Sequence, residues 1–468
     1  MSDLALLSCE RLLDLYRSKR ASPVEALAAV MHRIAHQNGV LNAFAHLDLD
    51  QAQGAAQSSE RRWVAGKPHG LLDGVPISIK DLGLVRGMPT LRGSLSIDRQ
   101  GPWLEDAPSV ARAREQGAVV IGKTAVPEFG CKGTTDSRLL GATRNPWNPE
   151  MTPGGSSGGA VAAVASGMSF ADIASDAGGS IRNPCAMSGV VGLKPSFGRV
   201  PDYPPSPIGS MAVIGPICRA VRDVALLMNV LSAADSRDPA GALPEAEDFL
   251  ATIEHDVRDL RVAVSPTLGY ARVDAEVLEA FERSVGALGL KTVERLDSPF
   301  PDPAPLVSII LSAGLARVYR ALGPARVADD RMDPAFIAAV RRGERLSLQE
   351  YLDAVAARKQ LIATVGRLFQ AHDVLLTPTV PVAAFALGTD DPPGMKAWKP
   401  FSGWVNLAKL PAATVPCGTT RSGLPVGLQV IGPRFSDAKV LRVARAVERT
   451  CSFTLPDLAE RIAAKAEI

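Results

Sequence analysis

The sequence lacks any uninterrupted apolar run near the roughly 20 residues needed to cross a bilayer; its longer ones resemble AVAAVASGM at 160–168. No membrane span is expected from such runs. Charge excess is also missing, with 51 Lys and Arg against 49 Asp and Glu, so nothing announces binding to a phosphate backbone or an anionic surface. Nucleic acid and membrane are therefore not expected partners. Cysteine pairs are absent: Cys9, Cys131, Cys185, Cys218, Cys417 and Cys451 form no C-x-x-C and no repeating spacing, which reads as free thiols in a reducing compartment. The first 20 residues, MSDLALLSCERLLDLYRSKR, have neither a basic stretch followed by a long apolar one nor a small-residue cleavage pattern, so a cytoplasmic location is the expectation.

What is present is the composition of a globular enzyme-sized chain: 468 residues, 46% hydrophobic and 21% charged. That is enough to bury a large core. Residues 3 to about 65 carry apolar positions at three- and four-residue steps, and Ser22-Pro23 opens SPVEALAAVMHRIA as a cap followed by proline in the first turn. A helical N-terminal layer over about 1–65 follows. Between about 70 and 220 the pattern turns to short β-branched runs such as PISI and AVVIGK, separated by Gly- and Pro-rich turns. From about 221 to 468 strands and helices alternate, LRVAVS, DAEVLEAFERSVGALG and KTVERL being one such unit, while 305–372 reads as mostly helical. No linker divides these parts and no repeat appears, so residues 1–468 are expected to form one α/β domain.

Three segments concentrate unusual chemistry. PGGSSGGAVAAVASG (153–167) runs a glycine-rich turn with Ser156 and Ser157 into a small-residue helix. Taken alone it could be a flexible loop or an ordinary helix cap. SDAGGSIRNP (175–184) sets Ser180 behind two glycines, a pattern that lets backbone amides converge on one point, as an oxyanion hole requires. Ala177, Gly178, Gly179 and Ser180 are the candidate donors, although a tight turn braced by an Asp176–Arg182 ion pair explains the same letters. A serine needs a base, and His32, His36, His46, His69, His255 and His372 all lie outside this block. Lys80, ending the apolar strand GVPISIKD, serves if burial keeps it neutral; otherwise it is a solvated strand end.

Together GVPISIKD, GGSSGG and DAGGSIRNP resemble the amidase signature family, whose centre is a Ser–cisSer–Lys triad. In that family the nucleophile lies 24 residues beyond the first serine of the GGSS pair, and Ser180 lies 24 residues beyond Ser156. The resemblance continues through GKTAVPEFG (122–130), TRNPWNP (143–149), GVVGLKPSFGRV (189–200), GPICRAVRD (215–223), NLAKLPAATVPCG (406–418) and GLPVGLQVIGP (423–433). Ser175 and Ala177 depart from it, standing where many members carry threonine.

The resemblance implies a central mixed, twisted β-sheet flanked by helices on both faces. It also implies hydrolysis of a small carboxamide through a Ser180 acyl-enzyme, with Lys80 as base and Ser156 as proton relay behind a cis peptide. Ser157, Asp176 and Arg182 become scaffold, and neither metal nor organic cofactor is implied. By position in the family, Phe129, Cys131, Thr134, Phe401 and Trp404 are the expected pocket residues, pointing to an apolar or aryl acyl group; core packing explains each aromatic equally simply. Two other readings stay in view. A glutaminase A-type subunit of tRNA-dependent amidotransferase would need partner subunits; its Arg-Arg-Ile-Met-Leu-Gly-Thr-type block is missing from 331–351, and Lys399 replaces an acidic position. A non-catalytic binding protein on the amidase fold is the second. A homodimer is the base-rate assembly.

One motif is refused. Residues 117–124, GAVVIGKT, match the P-loop pattern by letter, but Ala118 to Ile121 read as a buried strand, and Val126-Pro127 does not suit the helix that a phosphate loop must open onto.

Overall fold

The computed structural model describes residues 3–238, 241, 247–323, 329–393, 395, 398–451 and 453–463. Eleven strands form one mixed sheet in the order Phe44–Leu47, Val119–Thr124, Pro76–Lys80, Ala171–Asp176, Val213–Cys218, Val191–Lys194, Ala412–Thr419, Pro425–Ile431, Val374–Pro378, Arg261–Val264 and Thr292–Arg295. Parallel pairing joins Val119–Thr124, Pro76–Lys80 and Ala171–Asp176, and also the last three strands; the pairs between are antiparallel. Every residue of Pro76–Lys80 and of Val119–Thr124 is buried, so even Ser78, Lys80, Lys123 and Thr124 are enclosed by the protein. Helices cover both faces of the sheet, the α/β arrangement implied by the sequence.

Ser22 caps helix Pro23–Leu41 in a reciprocal capping box with Glu25, and Pro23 occupies its first turn. The N-terminal layer is not purely helical, however. Asn42 ends that helix in the left-handed region, and Phe44–Leu47 then joins the sheet edge antiparallel to Val119–Thr124. Helical periodicity on both sides of a four-residue strand hid it.

Helix Gly158–Ala165 is buried at every position and built only from Gly, Ala and Val. Small side chains are required because the backbone passes so close to its neighbours: a Cβ on Gly159 would stand 2.3 Å from the Ala125 amide nitrogen and 2.4 Å from the Ala43 carbonyl oxygen. Helix Ala304–Leu322 is long and apolar enough to cross a bilayer by length and composition alone, although Ser308, Ser312 and Arg317 interrupt its apolar runs. Among its apolar side chains Ile310, Leu315 and Ala316 are buried in the protein. Leu315 packs with Phe336, Val340 and Phe129, and Ile310 packs beside Phe401 and Trp404.

Candidate active site

Lys80 is the last residue of a strand that lies between two parallel neighbours, so its side chain emerges at the carboxyl end of the sheet, on the wall of a cavity. It is 1% exposed. Its Nζ donates to Ser156 Oγ at 2.8 Å and to the Ser175 carbonyl oxygen at 3.0 Å. Burial pushes the ammonium down to about 7, against the attraction of Asp176 and Asp172. The solvated strand-end alternative thus fails for this lysine.

Ser156 sits in the glycine turn before helix Gly158–Ala165, behind a cis Gly155–Ser156 peptide. Thr135 pins that turn, its hydroxyl donating to the Gly154 carbonyl at 2.9 Å and accepting from the Gly158 amide at 3.0 Å. The Ser157 amide donates to the Ser180 carbonyl at 3.2 Å, which ties the two serine segments together, while the Ser157 hydroxyl is buried without a partner among the described residues. Ser180 is half-buried, and together with Lys80 and Ser156 it faces a cavity of about 200 Å³ whose wall includes Ile79, Phe129 and Leu315.

A buried charge cluster holds the segment before Ser180. Asp176 accepts from the amides of Gly179 at 2.8 Å and Ile181 at 3.1 Å, and Arg182 grips it through Nε and Nη2, both at 3.0 Å. Burial alone raises such a carboxyl, but the Arg182 guanidinium and the nearby Lys194 hold it well below the usual carboxylate range. Arg182 continues to Gln429 Oε1 at 2.7 Å and Asn406 Oδ1 at 2.6 Å, and Asn406 returns a hydrogen bond to Asp176 at 3.0 Å. Gly179 has φ +114°, and a Cβ there would stand 2.4 Å from both Asn183 Nδ2 and Ser402 Oγ, so only glycine fits.

This geometry corrects several expectations. The Gly179 amide is spent on Asp176, which narrows the oxyanion-hole expectation to Ala177, Gly178 and Ser180. Of the expected pocket residues only Phe129 lines the cavity. Phe401 and Trp404, 0% and 1% exposed, belong to an apolar cluster in which Trp404 meets Phe300 with ring centroids 4.7 Å apart. Thr134 donates to Asp390 at 3.0 Å, and Cys131 packs beside the Phe129–Phe336 contact; neither is on the cavity wall. Lys123 of the refused motif ends neither a loop nor a helix: it is strand, buried, with Nζ 3.3 Å from Asp81 and hydrogen-bonded to the Gly83 carbonyl and the Thr90 hydroxyl.

Sequence reasoning missed Arg92, Asn406, Gln429 and Thr135. A lone Gln429 inside the apolar strand Pro425–Ile431 was a usable signal, because a buried amide needs partners. Arg92 had none.

The chain is similar to known proteins over most of its length. The Amidase family model matches residues 25–441. The chain is 35% identical over 470 residues to the A-type subunit of the glutamyl-tRNA(Gln) amidotransferase of Anaeromyxobacter sp. (strain K), covering 92% of this chain and 94% of that protein. Among solved structures it is similar to a bacterial aryl acylamidase of the amidase signature enzymes, with TM-score 0.88, 29% identity and 98% of each chain covered. It is also similar to the peptide amidase of Stenotrophomonas maltophilia, with TM-score 0.80, 27% identity and 95% and 96% of the two chains covered.

Proposed function

From the premise that this chain belongs to the amidase signature family and is a hydrolase of carbon–nitrogen bonds, we propose that it cleaves a small carboxamide through an acyl-enzyme on Ser180. Neutral Lys80 draws a proton through Ser156, and the Ser180 hydroxyl oxygen attacks the amide carbonyl carbon. Backbone amides of Ala177, Gly178 and Ser180 stabilise the oxyanion, each donor contributing roughly 3 kcal/mol in comparable sites. Ser156 returns the proton to the leaving nitrogen, the C–N bond breaks, and water then hydrolyses the ester to release the acid. The single observation that carries this reading is the 2.8 Å contact between a buried, near-neutral lysine and the Ser156 hydroxyl. Ser157, Asp176 and Arg182 act as scaffold, and no cofactor enters the chemistry. The apolar wall at Ile79, Phe129 and Leu315 supports an apolar or aryl acyl portion. The wider expectations of one domain over residues 1–468, a cytoplasmic location and a homodimer complete the proposal.

The test is release of ammonia or amine from a panel of aliphatic, aryl and amino-acid amides with glutamine included, run beside Ser180→Ala. Turnover that disappears in the variant supports the nucleophile; turnover that survives refutes it. A second reading, a glutaminase A-type subunit, is favoured by the 35% identity to the amidotransferase protein of Anaeromyxobacter. Activity confined to glutamine and copurifying partner subunits would establish that reading instead.

A further inference from the structure

Arg92 lies on the wall of the catalytic cavity, and nothing in amide hydrolysis itself calls for a cation there. Its backbone has φ +56°, a conformation that non-glycine residues seldom adopt and that clusters at ligand sites. The segment is clamped on both sides. The Leu91 and Gly93 amides donate to the Asp81 carboxylate at 3.2 and 3.3 Å, and the Arg92 carbonyl accepts from the Phe129 amide at 2.8 Å. Arg92 is thereby tied to the residue that follows Lys80 and to the aromatic that lines the same cavity.

The guanidinium has no matching acid. Among the described residues no carboxylate lies within ion-pairing distance of it; Asp81, the acid that attracts it, is taken by Lys123 and by the two amides. Asp202 also lines the cavity, but its carboxylate forms no ion pair with Arg92 among the described residues and accepts from the Ser206 amide at 3.2 Å. The cavity wall that Arg92 shares is largely apolar, with Leu82, Ile173 and Val318 among its residues. An arginine stays charged even in such surroundings, and a desolvated charge without a partner is costly unless a ligand supplies the counter-charge. One fixed cation in an apolar wall is also how a small pocket orients a ligand.

We propose that Arg92 is an anion subsite of the cavity, and that the amide cleaved there carries a carboxylate at the end of an apolar acyl body. This rests on the amidase reading above. A cavity of about 200 Å³ suits a compact monoamide of a dicarboxylic acid, its carboxylate accepting two parallel hydrogen bonds from the guanidinium.

Two matched pairs test it: glutaramate and terephthalamate, each against the neutral amide in which a methyl ketone replaces the carboxylate. The wild-type protein favours the anionic member in kcat/KM by roughly 10- to 100-fold, the usual worth of a charge-assisted bidentate contact. Arg92→Gln brings that ratio close to one, mainly through KM, and Arg92→Lys recovers part of it. Terephthalate binding by calorimetry, which needs no turnover, weakens at least about tenfold in Arg92→Gln. An unchanged ratio in Arg92→Gln, or terephthalate binding that is absent from the wild type or equal in both proteins, overturns the subsite. Neutral members cleaved as well as anionic ones sink the subsite and leave the amidase reading standing. Terephthalate bound through Arg92 by a protein that cleaves none of the four amides does the reverse.

Discussion

Lys80 ends one strand and Lys123 is the next-to-last residue of its parallel neighbour; both are buried, and they differ in what stands opposite them. Lys123 faces Asp81 at 3.3 Å, whereas Lys80 donates to a serine hydroxyl and a carbonyl. Burial pushes both ammonium groups down, yet Asp81 opposes this at Lys123 through direct contact, and Asp172 and Asp176 oppose it at Lys80 only from a distance. One lysine is held as half of an ion pair and the other is left against the Ser156 hydroxyl on the cavity wall. Burial alone does not make a base. Lys194 is also pushed down to about 7, but it donates to the Pro195 carbonyl and does not line the cavity.

The strongest way to break the contrast is to remove each lysine. Lys80→Ala is expected to lower kcat by about 10³-fold or more, within the range of a lost general base compounded by a lost relay, while circular dichroism stays that of the wild type. Lys123→Ala should act on stability, costing about 3–5 kcal/mol in denaturant unfolding because Asp81 is left buried without a cation. Equal loss of stability in the two variants would erase the distinction.

A pH profile sharpens it. The base must be neutral, and Lys80 is protonated below about 7, so kcat/KM should rise with pH through that value, roughly tenfold per unit on the acid side, and level off above it. An acid limb centred well away from neutrality would assign the base elsewhere. The smallest effect concerns the walls of the site. Phe129→Ala should change the preference among acyl groups by roughly tenfold or more, as a pocket contact does, whereas Trp404→Phe, set in the cluster behind, should change it by less than about threefold. A larger shift from Trp404→Phe would return that residue to the pocket.

In the C-terminal part the clean helical period of Ala275–Ala287 set off the valine-bearing runs on either side, and Arg261–Val264 and Thr292–Arg295 fall where the strand–helix–strand pattern places them. The short strand Phe44–Leu47 was not, since four residues between two helices carry too little pattern to register. At the site, Ser156 and Ser180 stood out by their glycine-rich turns, and the meaning of their 24-residue separation came only from the family resemblance. Phe401 and Trp404 were misread because a position in the family's C-terminal region does not fix where a side chain points, and here both pack into the apolar cluster with Phe300 and Ile310.

By itself the sequence determined which groups could react and where the backbone could turn: two serines in glycine loops, a lysine ending an apolar strand, no histidine nearby. Those are local properties of residue type and spacing. Only the tertiary structure decided that Lys80 is buried and set against Ser156, that the Gly179 amide belongs to Asp176, and that Arg92 lines the cavity with no ion-pairing acid among the described residues. Desolvation and charge pairing depend on what distant segments bring within a few ångströms, and no local pattern encodes that distance.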